Sequence, residues 1–391
     1  MSWINVPLSE CCDIVSGSTP RRDVAAYWEG HIPWVTPKDI SELNGAKILE
    51  DAPECITNEG YKACSTRMLP KGSVLFSSRA PIGLVAVAGR DMCTNQGFKS
   101  LLPHKNVDSN YLYYCMKWMA PQIAEMGNGA TFKEVSKSTM EKIGIPLPPL
   151  EEQKRIAAIL DKADDIRRKR AESLKLLDEL LRATFLDLFG DPIANPKDWP
   201  VMSMDTVANK ITDGEHLNPA FVNEGVPMIM ANNVRAAGIG FDDVKFVSYQ
   251  DYTKFSQKCR PQFEDLLLVS RGATIGRSCL VNTDREFCLM GSVILIKPNI
   301  TKVLSEYISG CFSQENFVKK LTKASGSSAQ QAIYLKDLKN VKLPVPPTGL
   351  QRNFSAIYQK ILNGKNTHLK SQTESDTLFH SLVARAFKGK L

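Results

Sequence analysis

The chain contains one unit written twice. Trp3 opens "WINVPLSECCDIVSG" and Trp199 opens "WPVMSMDTVANKITDG". "HIPWVTPKDI" (31–40) is answered by "GVPMIMANNV" (225–234), and "GSVLFSSRAPIG" (72–83) by "EDLLLVSRGATIG" (264–276). "NQGFKSLLP" (95–103) pairs with "LMGSVILIKP" (289–298), and "IPLPPLEEQKRI" (145–156) with "KLPVPPTGLQRNF" (342–354). The order is kept and the offset stays between 192 and 198. A repeat of this kind restricts the fold strongly, because two copies of one element order must each close the same core. The length of 391 residues agrees, being too long for one ordinary core.

Each copy has two parts. The first, of about 145 residues, carries short β-branched and aromatic runs broken by Gly, Pro, Asn and Asp, with helical stretches at 109–125 and 303–321. That composition predicts a compact α/β head rich in turns. The second part is helical. After Pro149 about 40 residues follow without Pro or Gly, and Ile156, Leu160, Ala163, Ile166, Leu174, Leu177, Leu181 and Leu188 recur at steps of three and four. Glu151 and Glu152 suit a first turn, and Gly190-Asp191-Pro192 ends the run. The second copy repeats the stripe more weakly, through Phe354, Ile357, Ile361, Leu369, Phe379, Leu382 and Ala386. The simplest partner for each stripe is the other one. The expected class is therefore α+β: two similar α/β heads joined by two long antiparallel helices, a coiled-coil spacer of about 60 Å, with an internal pseudo-two-fold repeat.

Several functions are excluded by missing motifs. No G-x-x-x-x-G-K-[ST] loop offers a site for ATP, no G-x-G-x-x-G follows a strand, and no H-E-x-x-H is present. "TDGEH" (212–216) gathers Asp213, Glu215 and His216, which would need a further ligand to hold a metal; a tight polar loop is the simpler reading. "NPAF" (218–221) lacks the second proline of an amino-methyltransferase loop, and Ser77, Ser78 and Ser270 lie in no nucleophile elbow. The expectation is a chain without catalytic residues, metal or cofactor of its own. Ten cysteines are scattered without a C-x-x-C pair, which predicts reduced, mostly buried thiols and a cytoplasmic home. The opening residues have neither the basic nor the apolar region of a secretory signal, and no apolar run approaches a membrane span, so no membrane partner is expected.

A net charge of +7 permits a polyanionic partner without demonstrating one. Two related heads at a fixed separation suit a repetitive polymer, and one turn of duplex DNA is about 34–36 Å. Diverged heads would read different bases, with phosphates giving affinity and base edges giving choice. The candidates for DNA contact in the first head are Arg21, Arg22, Thr36, Lys38, Ser78, Arg79 and Lys133. In the second they are Asn232, Asn233, Arg235, Arg271, Arg277, Ser327, Ser328 and Gln330. Arg79 and Arg271 follow an apolar strand and precede a glycine turn in each copy, so bracing that turn is an equal alternative for them. The basic run "ADDIRRKR" (163–170) reads as a solvated or ion-paired face ahead of a phosphate contact.

"GSTPRRDVAAYWEGHIPWVTPKDI", "SSRAPIG", "TNQGFKSLLP", "ITDGEHLNP" and above all "IPLPPLEEQKRIAAILDKAD" resemble the DNA-specificity subunit of prokaryotic type I restriction–modification systems. The resemblance covers essentially the whole chain, although "VPPTGLQRNF" keeps the prolines and Gln351 while losing both acidic residues. It implies target-recognition domains at 1–148 and 199–346, a central conserved spacer helix at 149–198 and a C-terminal conserved helix at 347–391. It also implies double-stranded DNA as ligand and a split, asymmetric recognition site. The implied partners are two methyltransferase subunits that bind S-adenosylmethionine and methylate adenine, and restriction subunits that use ATP and Mg to translocate and cleave DNA. The adenine would be flipped into the partner's pocket. Three other readings compete: a solitary DNA-binding regulator, a self-contained enzyme with a disguised site, and a coiled-coil adaptor with no nucleic-acid role. Tight specific binding alone, chemistry by the isolated chain, or salt-insensitive behaviour would favour them in turn.

Overall fold

A computed structural model describes residues 3–129, 133–217, 219–235, 238–323 and 332–391. The chain divides into two compact units. One comprises Met1–Ala171 with Ser371–Leu391, the other Glu172–Lys370. Each unit thus holds one head and a piece of each of two 40-residue helices, Leu150–Phe189 and Thr348–Phe387.

In the first unit a five-stranded sheet runs in the order Cys12–Ser16, Lys99–Pro103, Val74–Ser78, Ile82–Ala88, Ile48–Leu49. A three-stranded sheet sets Trp28–Val35 between Cys55–Ile56 and Cys93–Thr94, the last pairing being parallel. The second unit repeats the plan: Ala208–Asp213, Val293–Pro298, Leu266–Val269 and Ser278–Leu280 form an antiparallel sheet. Its smaller sheet sets Val226–Ile229 between Lys245–Val247 and a parallel Cys288–Leu289. Gly17 and Gly214 occupy equivalent places where the edge strand leaves the large sheet. A Cβ there would lie 2.0 Å from the Asn95 carbonyl oxygen and 2.1 Å from that of Leu289, respectively, so only glycine fits.

The proline junction is built identically in the two units. A short antiparallel ladder closes each head, Asn5–Pro7 with Gly144–Pro146 and Val201–Ser203 with Lys342–Pro344. Proline has no N–H to continue a ladder, so the strand ends in the proline run, and proline carbonyls beyond it serve the helix. Pro149 O accepts from the backbone N–H of Glu152 and Gln153, and Pro347 O from Leu350 and Gln351. Buried Gln153 then ties head to helix: its Nε2 donates to Asn106 O (3.0 Å) and Pro148 O (2.8 Å), and its Oε1 accepts from Asp108 N (2.8 Å). Gln351 does the same with Lys302 O (3.3 Å), Pro346 O (2.8 Å) and Leu304 N (2.8 Å). The phenols of Tyr111 and Tyr307 donate to Pro146 O and Pro344 O. At the far side of each joint a tryptophan indole satisfies a helix-end carbonyl, Trp3 on Ala386 O (2.9 Å) and Trp199 on Phe189 O (3.1 Å).

The helix segments run antiparallel within each unit. In the first, Arg170 donates to Ser371 O (2.6 Å) and reaches Ser375, while Arg167 lies over the Phe379 ring at 4.8 Å. In the second, buried Lys365 pairs with Asp178 at 2.5 Å and Phe185 packs edge-on to Phe354. The basic run is absorbed locally, Arg167 by Asp164, Arg168 and Lys169 by Asp165. Of the spacer-packing residues, Ile156, Leu160, Phe354, Ile361 and Phe379 are buried. Leu174, Leu177 and Leu181 are half-buried. Ile166 and Ile357 are corrected to solvent-facing positions, at 51% and 37% exposure. Each helix packs on a head as well as on its partner helix, so the buried line shifts; Tyr358, Phe185 and Phe189 take up the contact. All ten cysteines are free thiols, eight of them buried.

Candidate nucleic-acid interface

The polar candidates divide by what already holds them. In the first head Arg22 makes a bidentate pair with Glu54 (2.5 and 2.9 Å) and lies 4.0 Å over Trp28 and 4.8 Å over Trp34. Hydrogen bonding from Arg22 keeps the Glu54 carboxyl below its usual range. Arg21 pairs with Asp23 (2.6 Å) and Lys38 with Glu42 (3.5 Å), all exposed. The Thr36 hydroxyl and backbone both engage Asp39, a capping box that starts the Pro37–Glu42 helix. Two candidates are corrected as DNA contacts because their side chains point inward. Ser78 is fully buried, its hydroxyl on Gly97 O (3.1 Å). Asn233 is buried too, accepting from Met230 N (3.0 Å) and donating to Asp243 O (2.9 Å). Asn232 beside it is exposed, and Arg235 pairs with Asp242 at 2.9 Å. Ser327, Ser328 and Gln330 lie outside the described residues.

Arg79 and Arg271 are structurally equivalent. The serine before each is clamped twice: Ser78 N donates to Gly97 O and Val135 N to Ser78 O; Ser270 N donates to Ser292 O and Ile333 N to Ser270 O. Each arginine then forms an isolated antiparallel bridge, Arg79 with Glu134 and Arg271 with Ala332. A glycine at positive φ ends each turn, Gly83 (+97°) and Gly276 (+82°). The two arginines differ in their surroundings. Arg79 Nη1 lies 3.8 Å from Glu134, whose carboxylate also takes buried Lys99 at 3.0 Å. Arg271 is exposed and has no carboxylate within ion-pair distance among the described residues. Arg277 and Lys133 share that condition, and the residues outside the description contain no Asp or Glu.

The "TDGEH" stretch is a polar loop. Asp213 receives Lys258 (2.8 Å) and faces His216 (2.6 Å), while Glu215 caps the N–H groups of His216 and Leu217. Burial raises the Asp213 carboxyl, but the hydrogen bonds from Lys258 and His216 together outweigh it and hold the group below its usual range. Among the described residues no group of three or more His, Cys, Asp or Glu is placed to hold a metal ion. No helix there is long and apolar enough to cross a membrane.

Comparison with known proteins reaches the same duplicated plan. The family model described as "Type I restriction modification DNA specificity domain" matches residues 2–176 and again 196–375. The chain belongs to this family. It is a DNA-specificity component of type I systems and not a catalytic one. The MjaIX specificity subunit of Methanocaldococcus jannaschii is 25% identical over 97% of this chain and 92% of its own length. The crystal structure of a type I restriction–modification S subunit from M. genitalium superposes with a TM-score of 0.59 at 16% identity, covering 99% of this chain and 96% of the other. A chain from a structural study of complex assembly in the type I R-M system gives 0.55 at 19% identity, covering 100% and 98%. In this family context the joint glutamines and tryptophans stand out as residues that composition and spacing did not single out. Their one sequence signal was recurrence, Gln153 with Gln351 and Trp3 with Trp199.

Proposed function

We propose that the chain recognises a split, asymmetric duplex site, one half by each head, and brings methyltransferase and restriction subunits to it. The observation that carries this reading is an identical hydrogen-bonded joint, Gln153 or Gln351 with its prolines, under loops whose charged residues differ between the copies. Equal mounting with unequal loops is what two different half-sites require. The two long helices set the unread gap between those halves. Affinity comes from Lys and Arg on phosphates, and choice from base edges.

In this reading two partner subunits methylate adenine using S-adenosylmethionine, the target base being flipped into their pocket, and restriction subunits use ATP and magnesium. The assembly named for one structural relative supports a multi-subunit role. A cytoplasmic location follows, where the ten thiols stay reduced. The test is co-expression with the neighbouring methyltransferase gene in a host lacking adenine methylation, followed by genome-wide mapping of methyladenine. A single two-part motif with a fixed gap is expected. A soluble complex that leaves the genome unmethylated, or methylates a continuous motif, contradicts the proposal.

A further inference from the structure

The equivalent turns of the two heads differ in charge at three corresponding positions. Opposite the turn arginine stands Glu134 in the first head and Ala332 in the second. On the strand beneath, buried Lys99 pairs with Ser16 in the ladder, while the corresponding ladder of the second head sets Ile294 against Asp213. After the closing glycine comes Leu84 in the first head and Arg277 in the second. In the first head these residues form a closed set, Arg79 and Lys99 converging on one carboxylate. In the second head Arg271 and Arg277 flank one tight hairpin turn. The turn is held closed by Gly276 N on Val269 O (2.9 Å) and Val269 N on Arg277 O (2.8 Å), and among the described residues neither arginine has a carboxylate within ion-pair distance. Exposed guanidiniums that have no ion-pair partner suit the oxygens of a phosphate group.

We infer that Arg271 and Arg277 contact the phosphate backbone of bound duplex DNA, whereas Arg79, at the position equivalent to Arg271, braces its own head and makes no such contact. The inference rests on the DNA-recognition reading above. It assigns different roles to two residues that the repeat places at the same point.

The experiment is fluorescence anisotropy of a labelled 40-base-pair duplex of arbitrary sequence with the full chain, across a salt series. Each phosphate contact contributes about 0.9 to the slope of log affinity against log salt. Arg271→Ala and Arg277→Ala should each flatten the slope by about that amount, and Arg271→Lys should keep it, since a point charge suffices. Ala332→Glu, which gives the second head the first head's carboxylate, should act like Arg271→Ala. Arg79→Ala should leave the slope unchanged. Thermal melts confirm that each variant is folded; Arg271 and Arg277 are exposed, and the lysine variant serves as an independent check. If wild type binds with a steep slope but Arg271→Ala and Arg277→Ala match it, or Arg79→Ala flattens the slope as much as Arg271→Ala, the inference is overturned. If wild type itself shows no salt-dependent binding, the DNA reading fails, and the inference with it.

Discussion

The first unit packs Tyr113 and Tyr114 of its own head helix toward the long helices; the second has Ser309 and Gly310 at those places and receives bulk from the other side. Tyr114 bonds Asp161 (2.7 Å), which also takes Lys47 (2.6 Å), and Lys117 donates to the Tyr113 phenol (3.1 Å). In the second unit the Ser309 hydroxyl meets the phenol of Tyr358, a long-helix residue, at 3.3 Å. Gly310 lies so close to Phe185 that a Cβ would come within 2.3 Å of its ring. By the repeat offset Tyr358 corresponds to Leu160 and Phe185 to Val383, so large and small residues have exchanged sides of one contact. The difference shows which features a mounting must keep. Hydrogen bonds that fix the direction of the head are the same in both units, while volume is conserved only in sum.

The largest expected effect tests the shared part. Gln153→Ala leaves one buried N–H and two carbonyls without their partner, as does Gln351→Ala, each costing on the order of 3 kcal/mol. Urea unfolding followed by hydrogen exchange should place the loss in the unit mutated. Markedly unequal losses would show the two joints not to be energetically equivalent.

Next comes the exchanged contact. Gly310→Ala should cost about 1–3 kcal/mol by overpacking against Phe185. Adding Phe185→Val, the first unit's residue at that position, should recover part of the loss, and a double-mutant cycle measures the coupling. Additive effects would disprove the compensation.

A smaller effect sharpens the charge comparison. Glu134→Ala leaves buried Lys99 without its carboxylate and should lower the stability of the first unit by about 1–2 kcal/mol. That is below the usual figure for a buried pair, because Glu134 is itself partly solvated. The second unit has Ala332 there and needs no such acid.

The smallest effect is one of pH. The Asp213 carboxyl is held below its unfolded value, so its contribution is present above about pH 3.9 and is lost as pH falls through the lower folded value. Its ladder position in the first unit is Ser16, which does not titrate. Asp213→Asn should therefore flatten the acid limb of the second unit's stability profile and leave the first unit's unchanged, as followed by hydrogen exchange between pH 5 and 3. An unchanged profile would remove Asp213 from the account.

The duplication, the α+β class and the two helices were legible because prolines, glycines and apolar spacing are local signals. Ile156, Leu160, Phe354 and Ile361 followed from the stripe; Ile166 and Ile357 did not, because a helix touching a head and a second helix buries more than one line of residues. Polar loops carried less information. Thr36, Ser78 and Asn233 look like reading residues in sequence, yet cap, clamp and fold the loops that bear them. Whether an arginine faces an acid also depends on a residue distant in sequence, 55 positions on for Arg79, so bracing and reading were indistinguishable until the strand opposite was known.

The most direct test of the account is an exchange of one head. Residues 199–346 would be replaced by the corresponding domain of a relative, with Ser309 and Gly310 carried over to keep the joint, and methyladenine mapped in the co-expressing host. One half of the recognised motif should change while the other half and the gap persist. A motif altered in both halves would contradict independent heads on equivalent mountings.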